Sequence, residues 1–259
     1  MLKSRLRILH LVCVLVIVAT DAKAEVSVNS FDTDGSLGMG ALTGQISAVD
    51  VKQLERLLPP GTASDRGMAR HLSIESPGGD WNAAMAIGRI LRRADVAVMV
   101  DKNGCHSACV MVLAGAPRRI IFGPVGIHRP YPNDVQLRFY SDAQQRFRKM
   151  AATAKLYLEE MNLPASLFDA MTRVPPESLR ILSREELVSF GLEGRDPVTQ
   201  ELDDANEARR YGLDRRTYLE RTARRDSLCT EIAARYISEP SRAAQEYVAC
   251  GREVMQGRR

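Results

Sequence analysis

An α/β chain built on a parallel sheet and extended by C-terminal helices is what the sequence predicts, and three observations carry that expectation. Short β-branched or apolar runs alternate with helix-length segments whose apolar residues recur at three and four. Turn-forming residues stand at the ends of the predicted strands, as in Pro77-Gly78-Gly79. Beyond about residue 200 the composition shifts to Arg, Glu and Ala with no strand signal.

Residues 1 to 24 read MLKSRLRILHLVCVLVIVATDAKA. Lys3, Arg5 and Arg7 give a basic start, residues 8 to 19 are almost wholly apolar, and Ala22-Lys23-Ala24 offers a small-x-small cleavage pattern. The run is shorter than the roughly 20 residues of a membrane-spanning helix. A cleaved signal peptide and a periplasmic or secreted protein are therefore expected; left uncleaved, the segment would be the chain's membrane contact. Cleavage takes a net +3 out of the formal +4. The mature chain of about 235 residues then carries about +1, which gives no reason to expect nucleic acid as a partner. Outside the cytoplasm, cysteines tend to pair, and Cys105, Cys109, Cys229 and Cys250 remain once Cys13 has left with the peptide.

Residues 25 to 199 read as the α/β domain. LTGQIS (42 to 47) is a predicted strand, and VDVKQLERLL (49 to 58) a helix with Val51, Leu54 and Leu58 on one face, stopped by Pro59-Pro60-Gly61. RHLSIES (70 to 76) is a second strand. The helix after it begins at Asp80, a suitable N-cap, buries Ala84, Ile87 and Leu91, and turns Arg89, Arg92 and Arg93 to water. VAVMVD (96 to 101) is a third strand and leads into NGCHSACVMVLAGA, read as a turn and a short helix from near Ser107. A strand pair around RRIIF and GIH follows, then a long helix from about 142 to 161, the helix PASLFDAM, and RILSREELVSFGL as a strand and a helix capped by Ser183 with Glu186 in capping-box position. Residues 200 to 259 form the helical extension, with two helices over 213 to 256 that hold Cys229 and Cys250.

Three segments carry chemistry. A serine becomes nucleophilic when a base takes its proton, and it serves best at a sharp strand-to-helix turn with backbone N–H groups aimed at the developing oxyanion. Ser107 occupies such a turn, although serine there is also an ordinary N-cap. Ser76-Pro77-Gly78-Gly79 ends another strand where glycine admits close backbone approach. Gly126-Ile127-His128-Arg129-Pro130 ends a third with a histidine, a residue type that in isolation is more often structural than catalytic. All three at the ends of parallel strands point to one site, since open α/β sheets bind at that edge.

LTGQIS, IESPGGDWNAAMAIGRIL, CHSACVMVLAGAPRR, GIHRP and RILSREELVSFGL resemble, in order and spacing over residues 41 to 195, the successive blocks of the Clp protease proteolytic subunit (ClpP) family, and more closely its small exported relatives with a Cys-x-Ser-Ala-Cys block. The resemblance implies a ClpP/crotonase-like fold of repeated β-β-α units with a parallel sheet. It puts Ser107 on the nucleophile, His128 on the general base, and the N–H groups of Gly79 and Ala108 in the oxyanion hole. It implies an endopeptidase acting on peptides or unfolded polypeptides through an acyl-enzyme, with no cofactor and no metal, as a homo-oligomer stacked through the long helix.

The same alignment puts Leu179 where the family has its catalytic aspartate, and a leucine cannot orient an imidazole. Glu177 is the nearest substitute, with Asp169 and Asp134 behind it; a Ser-His dyad and a lost activity stay open, and Lys102 offers a serine-lysine variant. A zinc site at Cys105, His106 and Cys109 lacks a fourth ligand, and a redox pair wants two residues between its cysteines. A Cys105–Cys109 disulfide around Ser107 suits an exported protein, with Cys229–Cys250 pinning the extension, although four cysteines allow three connectivities. His106 is expected to be solvated and to point away from Ser107. Arg119 and Arg129 are read as surface residues, and Trp81 as packing its helix. The alternative function is a non-catalytic ClpP-like scaffold; acyl-CoA chemistry of the crotonase kind is a third, for which a nucleotide outside the cytoplasm is not expected.

Overall fold

The computed structural model of the chain describes residues 25–27, 38–60, 70–131 and 140–259. The expected signal peptide and Asp134 lie outside the described residues. Helices α1 (Ala48–Leu57), α2 (Trp81–Arg93) and α3 (Cys109–Gly115) alternate with strands β2 (Met39–Ile46), β3 (Arg70–Gly79), β4 (Val96–His106) and β5 (Arg118–Ile121), while β1 (Glu25–Ser27) adds to β2. The sheet runs β1-β2-β3-β4-β5-β8, with β6 (Val125–Ile127) also on β4, β7 (Arg180–Ile181) on β6, and β8 (Gly194–Arg195) at the end. The β2–β3, β3–β4, β4–β5 and β4–β6 pairs are parallel, and the outer pairs are antiparallel. The architecture is therefore α/β with a mixed, mostly parallel sheet.

The helices start where side chains replace missing backbone partners. Ser47 and Asp50 form a reciprocal capping box on α1, Asp80 Oδ1 accepts the Ala83 N–H at 2.7 Å, and Ser183 with Glu186 caps α6 (Arg184–Ser189). Leu54 of the first helix and Leu58 at its C-cap, and Ala84, Ile87 and Leu91 of the second, are buried as their spacing demands. They cover one sheet face, where Leu42, Ile74 and Val100 are fully buried, whereas Ser73, Met99 and Ile120 on the alternate face stay partly open. Helices α2 and α3 touch through glycine, since a Cβ on Gly115 would fall 2.3 Å from the Gly88 Cα. Across that contact lies α4 (Tyr140–Glu160), whose buried Tyr157 donates its hydroxyl to the Met111 carbonyl at 2.7 Å.

Arg119 corrects one expectation. It is 4% exposed and caps the far end of α3, donating to the carbonyls of Leu113, Ala114 and Gly191. Burial, and then the charge of Arg92, lower its pKa to about 10. The extension differs too. It holds three helices, α7 (Pro197–Arg210), α8 (Arg215–Ala234) and α9 (Pro240–Met255), of which the last two form a hairpin around Cys229, Cys250 and Val254. Its sulfurs are joined at 2.10 Å. Asp196, fully buried, caps α7 through the Thr199 N–H and ties it to the body through Arg92 and Asn162. No helix among the described residues is long and apolar enough to cross a membrane.

Candidate functional site

Three strand ends meet at one edge of the sheet. β3 and β4 pair as far as Ser76↔Cys105, and β4 and β6 pair at Cys105↔Val125 and His106↔Gly126. Gly78, in the last residues of β3 and still paired with β2, therefore lies beside the turns that carry Ser107 and His128, at the strand-end position where parallel sheets gather their sites.

The strand does not stop at Asp101 as its apolar run suggests. Its polar continuation stays extended, with Asn103 donating to Glu75 at 2.5 Å, and rejoins the ladder at Cys105. The helix accordingly starts at Cys109 rather than near Ser107, and Ser107 is not its cap. Ser107 instead takes φ +55°, in the left-handed region that costs a residue with a Cβ about 1–2 kcal/mol. Its N–H donates to the Gly126 carbonyl at 2.9 Å, and its carbonyl accepts the Val110 N–H at 3.1 Å. Cys105 and Cys109, fully buried and joined at 2.06 Å, close a loop around it. A serine on a strained strand-to-helix turn projects its hydroxyl away from the chain on either side.

Gly78, not Gly79, lies against the serine. A Cβ on Gly78 would fall 2.7 Å from the Ser107 Cβ, 2.9 Å from the His106 carbonyl and 3.0 Å from the Ala108 nitrogen. Gly79 turns its Cβ direction to β2, where one would meet the Ile46 oxygen at 2.3 Å. Both have positive φ, so only glycine fits. Ser76, 2% exposed, holds this turn: its Oγ donates to the Gly44 carbonyl at 2.6 Å and accepts the Gly78 N–H at 3.1 Å. The Ala108 N–H, next to the serine, donates no hydrogen bond among the described residues.

His128 follows β6 and is half-buried. Its Nδ1 lies 3.0 Å from the Arg129 carbonyl oxygen, and the Tyr131 ring stands 6.0 Å away. Among the described residues no hydrogen bond joins His128 to Ser107 Oγ; such bonds are often long before substrate binds. The β6–β7 ladder pairs Gly126 with Ile181 and Ile127 with Arg180, and His128 and Leu179 are the next residues beyond its paired end. Leu179 is 48% exposed and leans on Gly126, its Cδ1 2.8 Å from where a Cβ would stand. Glu177 is exposed in the turn before β7, without a hydrogen bond or ion pair among the described residues. Asp169 is held by Lys155 at 2.7 Å.

His106 is the last residue of β4 rather than a solvated helix start. Its ring lies over Gly104 and Gly126, and its Nδ1 is buried with no hydrogen-bond partner among the described residues. Trp81 packs edge-on against Phe168, with ring centroids 6.2 Å apart. Sequence reasoning missed Ser76, read only as part of a turn signal, and the roles of Gly78 and Gly126. Each has a signal in hindsight, a small residue at a strand end, but none that separates it from ordinary turns.

Fold and site together define an α/β chain whose central strand presents a left-handed serine beside a glycine turn and a histidine-bearing strand end. No protein-family model and no curated protein matches the chain.

Proposed function

We propose that the protein is an exported serine hydrolase of the ClpP-like kind, an endopeptidase cleaving peptides or unfolded polypeptides. The observation that carries this is the Ser107 turn: a left-handed serine between Gly78 and the β6 strand end, with an uncommitted Ala108 N–H beside it. In this reading Ser107 Oγ attacks the substrate carbonyl while its proton passes to His128. The Ala108 N–H, with the Gly79 N–H as the second donor, meets the oxyanion, and the proton is handed to the leaving amine. Water then attacks the acyl ester by the same route in reverse and frees Ser107. The disulfides suit an oxidising compartment, and with the N-terminal segment they support export to the periplasm or beyond. In the ClpP-like arrangement α4 is the projecting helix through which copies of the chain stack.

A fluorophosphonate probe is expected to label Ser107, and His128→Ala to abolish labelling. Absence of labelling in folded protein at every pH from about 6 to 9 would sink the reading. A leucine at 179, the next residue beyond the Ile127↔Arg180 pair on the strand beside His128, favours a second reading, a ClpP-like scaffold without catalysis. That reading requires Ser107→Ala to leave partner binding intact.

A further inference from the structure

Resting on the hydrolase reading, we infer that the main-chain carbonyl of Arg129 is the third member of the site, orienting His128 where a carboxylate would otherwise do so. His128 Nδ1 and the Arg129 oxygen are 3.0 Å apart. A carbonyl oxygen only accepts, so the contact requires the proton on Nδ1. The neutral imidazole then presents a bare Nε2, the tautomer a base needs in order to take the serine proton.

The carbonyl is itself held. The Arg129 N–H donates to the Val174 carbonyl at 2.8 Å, which fastens this residue to the end of α5 (Ser166–Thr172). Pro130 follows and is buried, and a residue before proline is confined to extended conformations, so the direction of the Arg129 carbonyl is set from both sides. Tyr131 then returns its ring to flank the imidazole, tilted by 31°. Of the carboxylates that could stand in for the missing aspartate, Asp169 is spent on Lys155 and Glu177 faces solvent, while Asp134 lies outside the described residues.

A triad carboxylate fixes the tautomer and also stabilises the imidazolium. A carbonyl supplies the first in full and the second only through its dipole. During acylation the Ser107 proton arrives at Nε2, the Nδ1–H stays on the Arg129 oxygen, and Nε2 then protonates the leaving amine, so no proton passes to the third member. The arrangement explains how a leucine is tolerated at position 179.

The test uses the mature, disulfide-bonded chain with 15N-labelled histidine. The imidazole signals of His128, assigned by their loss in His128→Ala, are expected to show neutral His128 protonated on Nδ1 and bare on Nε2. Pro130→Ala, which frees the carbonyl, is expected to mix the tautomers and slow fluorophosphonate labelling of Ser107 by about tenfold or more. Adding Leu179→Asp to that variant supplies a carboxylate at the next residue beyond the Ile127↔Arg180 pair and is expected to recover labelling. A wild-type His128 protonated on Nε2 overturns the inference, as does loss of the Nδ1–H form in Glu177→Gln, which would move the role to that side chain. If Pro130→Ala does not fold, the wild-type tautomer decides alone. The Nδ1–H form without any Ser107 labelling would overturn the hydrolase reading and leave the orientation of His128 standing.

Discussion

Between the Gly78 Cα and the Ser107 Cβ there is no room for a methyl group, and this sets the sharpest test at the scale of single residues. In Gly78→Ala the new Cβ meets the serine, the His106 carbonyl and the Ala108 nitrogen while the backbone holds φ +107°. A β-carbon in such a conformation, together with overpacking, is expected to cost about 1–3 kcal/mol. The same shift displaces the serine and the Ala108 N–H, so labelling of Ser107 should fall by at least about tenfold, since a 1 Å misplacement costs that much or more. Urea melts and probe labelling separate the two effects; unchanged labelling would show that Gly78 does not set the serine. Ser107 and His128 are visible in the sequence because their chemistry belongs to side chains. The left-handed turn of Ser107 and the carbonyl beside His128 are not, because a main-chain torsion and a backbone oxygen have no letter of their own.

Among the elements, the join between the α/β body and α7 rests on Asp196. Burial alone would raise the pKa of this carboxylate, but hydrogen bonds from Asn162, the Thr199 N–H and Arg92 outweigh it and hold the carboxyl below its ordinary range. A group more acidic in the folded state stabilises that state above its unfolded pKa of about 4 and ceases to do so as pH falls through the lower folded value. Asp196→Ala is therefore expected to cost about 3 kcal/mol at pH 7, because it leaves the partly buried Arg92 without its charge partner. That difference from the native chain should shrink as pH falls through the lowered folded value, a trend that urea melts across the acid range follow directly. Element starts were legible wherever a cap names them: Asp80 and Ser183 cap helices as their positions demand. β4 was not legible to its end, because Lys102, Asn103 and Gly104 read as a turn, yet they stay extended, and the ladder resumes only at Cys105 through long-range pairing with Ser76 and Val125. β7 and β8 are two residues each and exist only through their partners.

For the molecule as a whole, the helical extension is the part least able to stand by its own packing. The α8–α9 hairpin is centred on Cys229, Cys250 and Val254, with Leu228, Ile232 and Tyr247 partly buried around them. A bridge closing a loop of this length contributes about 3 kcal/mol by restricting the unfolded chain. Replacing Cys229 and Cys250 by serine should thus loosen the hairpin while the sheet persists: far-UV circular dichroism should lose helix, proteases should cut within residues 213 to 256, and labelling of Ser107 should survive. Simultaneous loss of labelling would mean that the extension supports the site. The alternation of strands and helices was legible over the whole body because periodicity reports burial. The third helix of the extension was less so, since α7 buries only Ala208 and is held by the polar contacts of Asp196 and Asp203.

The bridge around Ser107 has a consequence for the order of assembly. Cys105 and Cys109 are each 0% exposed, beneath strands that pair on both sides of β4. Oxidant reaches these thiols only while the structure around them is open, so the bond is expected to form during folding. Chain that matures without an oxidant would close over two reduced thiols, and oxidant added afterwards would have to wait for that structure to reopen.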